Sequence, residues 1–105
     1  MKIPSRFNLM GHTIKVEYQD DLVYSEGSQG LAKYAERKIV LQPRTPQTPT
    51  CDSNVEQVFC HELVHHLLEL GAEGDIEPPL HMRECLVDRL GSLVHQALST
   101  FEFEE

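Results

Sequence analysis

The stretch from Ser53 to Gly71, SNVEQVFCHELVHHLLELG, constrains this chain more than any other. At helical pitch, Phe59, Cys60, Leu63, Val64, Leu67, Leu68 and Leu70 cover more than half of the circumference. A helix apolar on so many sides cannot lie on a surface; other elements have to wrap it. Ser53 and Glu56 fit a capping box with Ser53 as N-cap, and Gly71 suits the position just past the end, so the helix is predicted to run to about Leu70.

What surrounds that helix is read from the rest of the 105 residues, a length that suits one domain over 1–105. Thr13 to Tyr18 alternates, with Ile14 and Val16 on one side and Lys15 and Glu17 on the other, the mark of a half-buried strand. Leu22 to Tyr24 is a short strand or a helical turn, and Ser25 to Gly30 is a loop. Leu31 to Ala35 and Lys38 to Gln42 are further strands, with Glu36-Arg37 at the hairpin turn. Pro43 to Cys51 holds three prolines and is a connector. After the loop Gly71 to Pro79, a second helix is predicted from Pro79 or Leu80 to about Ser99. Its apolar arc is Met82, Leu86, Leu90, Leu93, Val94, Ala97 and Leu98. The expected class is α+β: a small N-terminal sheet of three to four strands packed on two C-terminal helices.

A net charge of −8 argues against nucleic acid as the main partner and equally against an anionic membrane surface. The N-terminus lacks an apolar run of signal-peptide length, and no segment approaches a membrane span. Cys51, Cys60 and Cys85 are odd in number and widely spaced, which suggests neither a disulfide framework nor a zinc knuckle. The expected compartment is a reducing cytoplasm. Cys60 and Cys85 read as small core residues, while Cys51 falls in the connector.

Within the first helix, His61 and His65 are four residues apart and share a face. Two imidazoles so placed can each offer a nitrogen to one Zn2+ ion. Glu62 lies about 100° round the helix from His61, too far to share the ion but able to reach a water on its open side as general base. Such a site needs a third protein ligand. The second helix carries Glu84, Asp88, Gly91 and His95 on one stripe at steps of four, three and four, and Gly91 would let the two helices approach. Glu84 is the first choice, with Asp88 then orienting a ligating histidine; Asp88 itself and His81 are the alternatives. His95 either lines the site or is solvated, and His66 points away from His65, toward the surface or the periphery of the site.

HELVH followed, after eighteen residues, by Glu84-Cys85-Leu86-Val87-Asp88 resembles the HExxH…ExxxD arrangement of gluzincin peptidases. The resemblance implies His61, His65 and Glu84 as zinc ligands, Glu62 as base and Asp88 behind them. For the oxyanion-stabilising histidine or tyrosine of that family, Tyr34 and His95 are the candidates. Nearly the whole chain, through IPSRFNLMGHTIKVEY, GLAKYAERKIVLQ, CHELVHHLLELG and ECLVDRLGSLVHQAL, is similar to small HExxH proteins of phages and prophages; this would place it in a bacterial host cytoplasm. More distantly it resembles SprT-like and ImmA/IrrE metallopeptidase domains, the former usually taking a histidine as third ligand, which keeps His81 in view. The function expected is a zinc metallopeptidase acting on a peptide laid along a sheet edge at Lys38 to Gln42. The alternative is a non-catalytic zinc protein of phage or prophage origin that captures a host protein, and a third reading is a metal-free domain.

Overall fold

The alternation in Thr13 to Tyr18 becomes a strand whose inward residues, Ile14 and Val16, are buried while Lys15 and Glu17 are exposed. The computed structural model of the protein describes residues 1–71 and 83–104. The elements are β1 (Arg6–Leu9), β2 (His12–Tyr18), α1 (Leu22–Glu26), β3 (Gly30–Lys33), β4 (Lys38–Leu41), α2 (Asp52–Gly71) and α3 (Glu84–Ser99). The class is α+β, a four-stranded sheet followed by two helices.

The sheet runs β1-β2-β4-β3 and is mixed. β1 and β2 are antiparallel, β2 and β4 parallel, and β4 and β3 antiparallel. β1 is absent from the sequence reading. It is set by the two-residue loop Met10-Gly11, where both residues have positive φ (49° and 80°) and Leu9 pairs with His12. Those dihedral signs define a type I′ turn, the one whose twist matches an antiparallel hairpin. Leu22 to Tyr24 takes the helical alternative, ending at Gly27 in the left-handed region. β3 and β4 are joined by four residues, Tyr34 to Arg37, rather than by a tight turn at Glu36-Arg37. Arg37 turns the chain with φ of 52°, and its guanidinium pairs with Glu69 of α2 at 3.1 Å.

The strand order corrects one expectation. Lys38 to Gln42 is not a sheet edge: β4 is paired on both sides, and β3 is the edge. Ile39, Val40 and Leu41 are buried in succession, as in strands covered on both faces.

The core gathers Ile14 and Val16 of β2, Ile39 and Leu41 of β4, and Phe59 and Cys60 of α2. α2 is central, as its sequence demands, but polar residues complete its buried surface: Glu62, His65 and His66 are buried and Leu67 is exposed. The capping box does not form. The helix already includes Asp52, and Glu56 accepts from the Met1 ammonium and pairs with His95. α3 begins at Glu84, because Arg83 is extended (φ −87°, ψ 91°). The expected onset at Pro79 or Leu80, most of the preceding loop, Met82 and His81 lie outside the described residues. Its buried positions are Val87 and Gly91; Leu93 and Ala97, placed in the apolar arc from sequence, are exposed.

Gly91 fixes how close the helices come. A methyl group there would stand 2.9 Å from His61 Cα and 3.1 Å from its backbone nitrogen, so only glycine admits this crossing. The same contact brings the first two turns of α3, with Glu84 and Asp88, beside the middle of α2.

Candidate metal centre

His61 and His65 sit one helical turn apart on α2, their ring centroids 5.0 Å apart. Both direct Nε2 at the same carboxylate: His61 Nε2 is 3.2 Å from Glu84 Oε2, and His65 Nε2 is 3.1 Å from Glu84 Oε1. One donor atom from each of these three residues lies within 4.8 Å of the other two, and this is the one such group of metal-capable side chains among the described residues. Ligands bound at about 2.0–2.2 Å to a tetrahedral ion stand roughly 3.3–3.6 Å apart. The donor set, two imidazoles and one carboxylate, is the chemistry that zinc takes, so the residues present fit that ion.

Each imidazole is also held from behind. Asp88 Oδ1, one turn after Glu84, lies 3.5 Å from His61 Nδ1. Tyr34 Oη lies 3.1 Å from His65 Nδ1. Without a metal, His61 Nε2–H donates to Glu84; a proton on Nδ1 instead, which for His65 can go to Tyr34 Oη, is the tautomer that would turn the Nε2 lone pairs to an ion. Tyr34 reaches this position because the Tyr34 to Arg37 turn is tied to α2 through Arg37 and Glu69. Burial, reinforced by Glu62, Glu69 and Glu84, pushes its phenol up to about 12, so it stays protonated. Tyr34, one of the two candidates for the oxyanion-stabilising residue, thus stands beside the group with its hydroxyl against the His65 imidazole.

Glu62 is buried, and it lies between two cavities of about 290 and 270 Å³. Ser28, Gly30, His61 and Glu62 line both, so the two are halves of one cleft along the β3 edge. Gly30 makes room for the carboxylate: a methyl group there would meet Glu62 Oε2 at 3.0 Å and Val58 Cγ1 at 2.6 Å. Burial raises the Glu62 carboxyl to about 7; Glu84 adds to this and His61 opposes it.

Of the remaining described histidines, His66 and His95 stand apart from this group. His95 pairs with Glu56 at 3.1 Å and does not join the three-residue group. His81 lies outside the described residues. His66 is fully buried rather than superficial; its Nε2–H donates to the Lys38 carbonyl at 3.0 Å, its ring packs edge-on to Tyr34, and its Nδ1 has no partner. Burial holds its pKa below the usual imidazole range. Among the cysteines, Cys60 is buried with its thiol raised to about 11, whereas Cys85 is exposed, contrary to expectation: it falls on the outer side of the first turn of α3. Cys51 is exposed, as its connector position suggested.

Sequence reasoning missed Gly30 and the position of Tyr34 behind His65. A glycine opening a strand was the available signal for the first, since such a residue marks a close approach. No helix of the described residues is long and apolar enough to cross a membrane. Comparisons with protein-family models, with curated proteins and with solved structures found no match, so the reading of the centre rests on its own geometry.

Proposed function

We propose that the protein is a zinc metallopeptidase of the HExxH…E type, with His61, His65 and Glu84 as ligands and Glu62 as general base. The observation that carries this reading is the convergence of two Nε2 atoms from one helix on a single carboxylate of the next, 3.2 and 3.1 Å away, beside a buried glutamate.

Zinc, when bound, supplies a Lewis acid that polarises a carbonyl and acidifies water. The chain's own groups do the rest. Tyr34, hydrogen-bonded to His65 Nδ1, and Asp88, 3.5 Å from His61 Nδ1, are the groups that orient the two imidazoles. Glu62, adjoining the ligands but not among them, takes the proton of the attacking water and returns it to the leaving amine. The substrate lies extended along the open edge of β3, whose outward N–H and C=O groups can pair with a peptide backbone. This moves the substrate strand from β4 to β3 and sets it directly over the cleft.

The test is cleavage of a panel of unfolded proteins by the zinc-loaded protein and by Glu62→Gln. Zinc-dependent cleavage by the wild type alone supports the reading. Equal cleavage by both removes Glu62 from the mechanism. No cleavage, with a stable stoichiometric complex recovered instead, favours the non-catalytic binding protein.

A further inference from the structure

The larger half of the cleft lies away from Glu84, between the start of β3 and the first turns of α2, with Asp88 and Ser92 of α3 opposite. It encloses about 290 Å³. Two carboxylates, Glu62 and Asp88, lie on its wall, and no lysine or arginine does. The neutral groups incline the same way. Ser28 Oγ–H donates to the Gly30 carbonyl at 2.7 Å. Asn54 donates through Nδ2 to Gln29 Oε1 and Thr50 Oγ1 at 2.9 and 2.8 Å, and Gln57 Nε2 donates to Ser92 Oγ at 3.0 Å. The donors of Ser28 and Asn54 are thus spent inside the wall, as is one of the two N–H groups of Gln57, and what Ser28 and Asn54 still offer is oxygen. The donors left on the wall, on Gln29, Gln57 and Ser92, are all uncharged. Val58 adds an apolar surface against which a methylene stem can lie.

We propose that this cavity is a specificity pocket for a lysine or arginine side chain next to the scissile bond, so that the substrates are basic segments of polypeptide. The proposal rests on the peptidase reading above. A cationic head finds carboxylates and amide oxygens, and an acidic one finds the same groups as repulsion and unpaired desolvation. The net charge of −8 acts in the same direction by drawing cationic segments toward the molecule.

Two measurements on the zinc-loaded full chain test this. In the first, a mixed peptide library is digested and the residues flanking the cuts are read. The pocket predicts Lys and Arg enriched at one flanking position, with kcat/KM about tenfold or more above matched Glu and Leu peptides. Gln57→Lys, at an exposed position of α2, places a fixed cation on the rim and should bring that preference to within about threefold. Cleavage without a basic preference, or with an acidic or apolar one, overturns the pocket and leaves the peptidase reading standing. If no peptide is cut, the peptidase reading fails and the second measurement decides. Amide NMR shifts are followed on titration with acetyl-lysine amide and acetyl-norleucine amide. Shifts at Gln57, Val58 and Ser92 from the lysine compound alone support a cation pocket; equal shifts from both, or none, remove it.

Discussion

Replacing Glu62 by Gln should make the metal-free protein more stable in alkali, although it removes the group assigned as base. Glu62 is 7 % exposed, and its carboxyl is raised from the ordinary 4.5 to about 7. Because the folded value lies above the unfolded one, the stability associated with the protonated carboxyl is fully present below about 4.5 and is lost as pH rises through about 7. Each unit is ~1.4 kcal/mol, so ionised Glu62 costs the apo fold on the order of 3 kcal/mol at pH 8.5. Part of that is already lost at pH 5, where the unfolded carboxyl is largely ionised. Gln has nearly the same shape and no charge. The difference in unfolding free energy, variant minus wild type, should therefore grow by roughly 2 to 3 kcal/mol between pH 5 and pH 8.5. Urea unfolding in excess chelator at the two pH values measures it, and taking the difference cancels the titrations that do not interact with Glu62. With zinc present the gain should shrink, since a nearby cation stabilises the ionised form. Parallel pH profiles, or a variant less stable than wild type at pH 8.5, would refute the buried-carboxylate account.

Four further outcomes are expected. His66→Leu leaves the Lys38 carbonyl without its donor and should cost about 1 kcal/mol at neutral pH. Because burial lowers the His66 pKa, wild type loses stability relative to that variant as pH falls below the unfolded value of 6.5, which acid-side urea melts will register. Gly91→Ala drives a methyl group into the His61 backbone and should cost roughly 1–3 kcal/mol and weaken zinc binding, readable by thermal melts and chelator competition. Tyr34→Phe removes the oxygen behind His65 and should raise the zinc Kd about tenfold with the circular dichroism unchanged.

The centre was legible because its spacing is local. HELVH places two imidazoles one turn apart whatever surrounds them, and the Glu84, Asp88, Gly91 stripe states in one helix what it presents to another. Gly91 was readable as a close approach, and the contact with His61 is that approach. What failed was non-local. Strand order depends on which chains find each other, so β4 was taken for an edge, even though Ile39-Val40-Leu41 already had the unbroken apolar run of a central strand. The capping box failed for a similar reason: Glu56 has partners distant in sequence, the Met1 ammonium and His95, that outcompete the backbone of its own helix. Strand β1 was missed because Met10-Gly11 is an unusual pair for a type I′ turn. Tyr34 was a candidate only for the oxyanion; its contact with His65 could not have been read, since only the fold brings residues 34 and 65 together.

The central claim is that one zinc ion is held by His61, His65 and Glu84. X-ray absorption at the zinc edge, on protein purified without an affinity tag, tests it most directly. The account predicts one zinc per chain, with nitrogen and oxygen neighbours at about 2.0–2.2 Å, a two-imidazole scattering pattern, and loss of that signal in His65→Ala. No bound zinc, or sulfur neighbours at about 2.3 Å from the exposed cysteines, would contradict it.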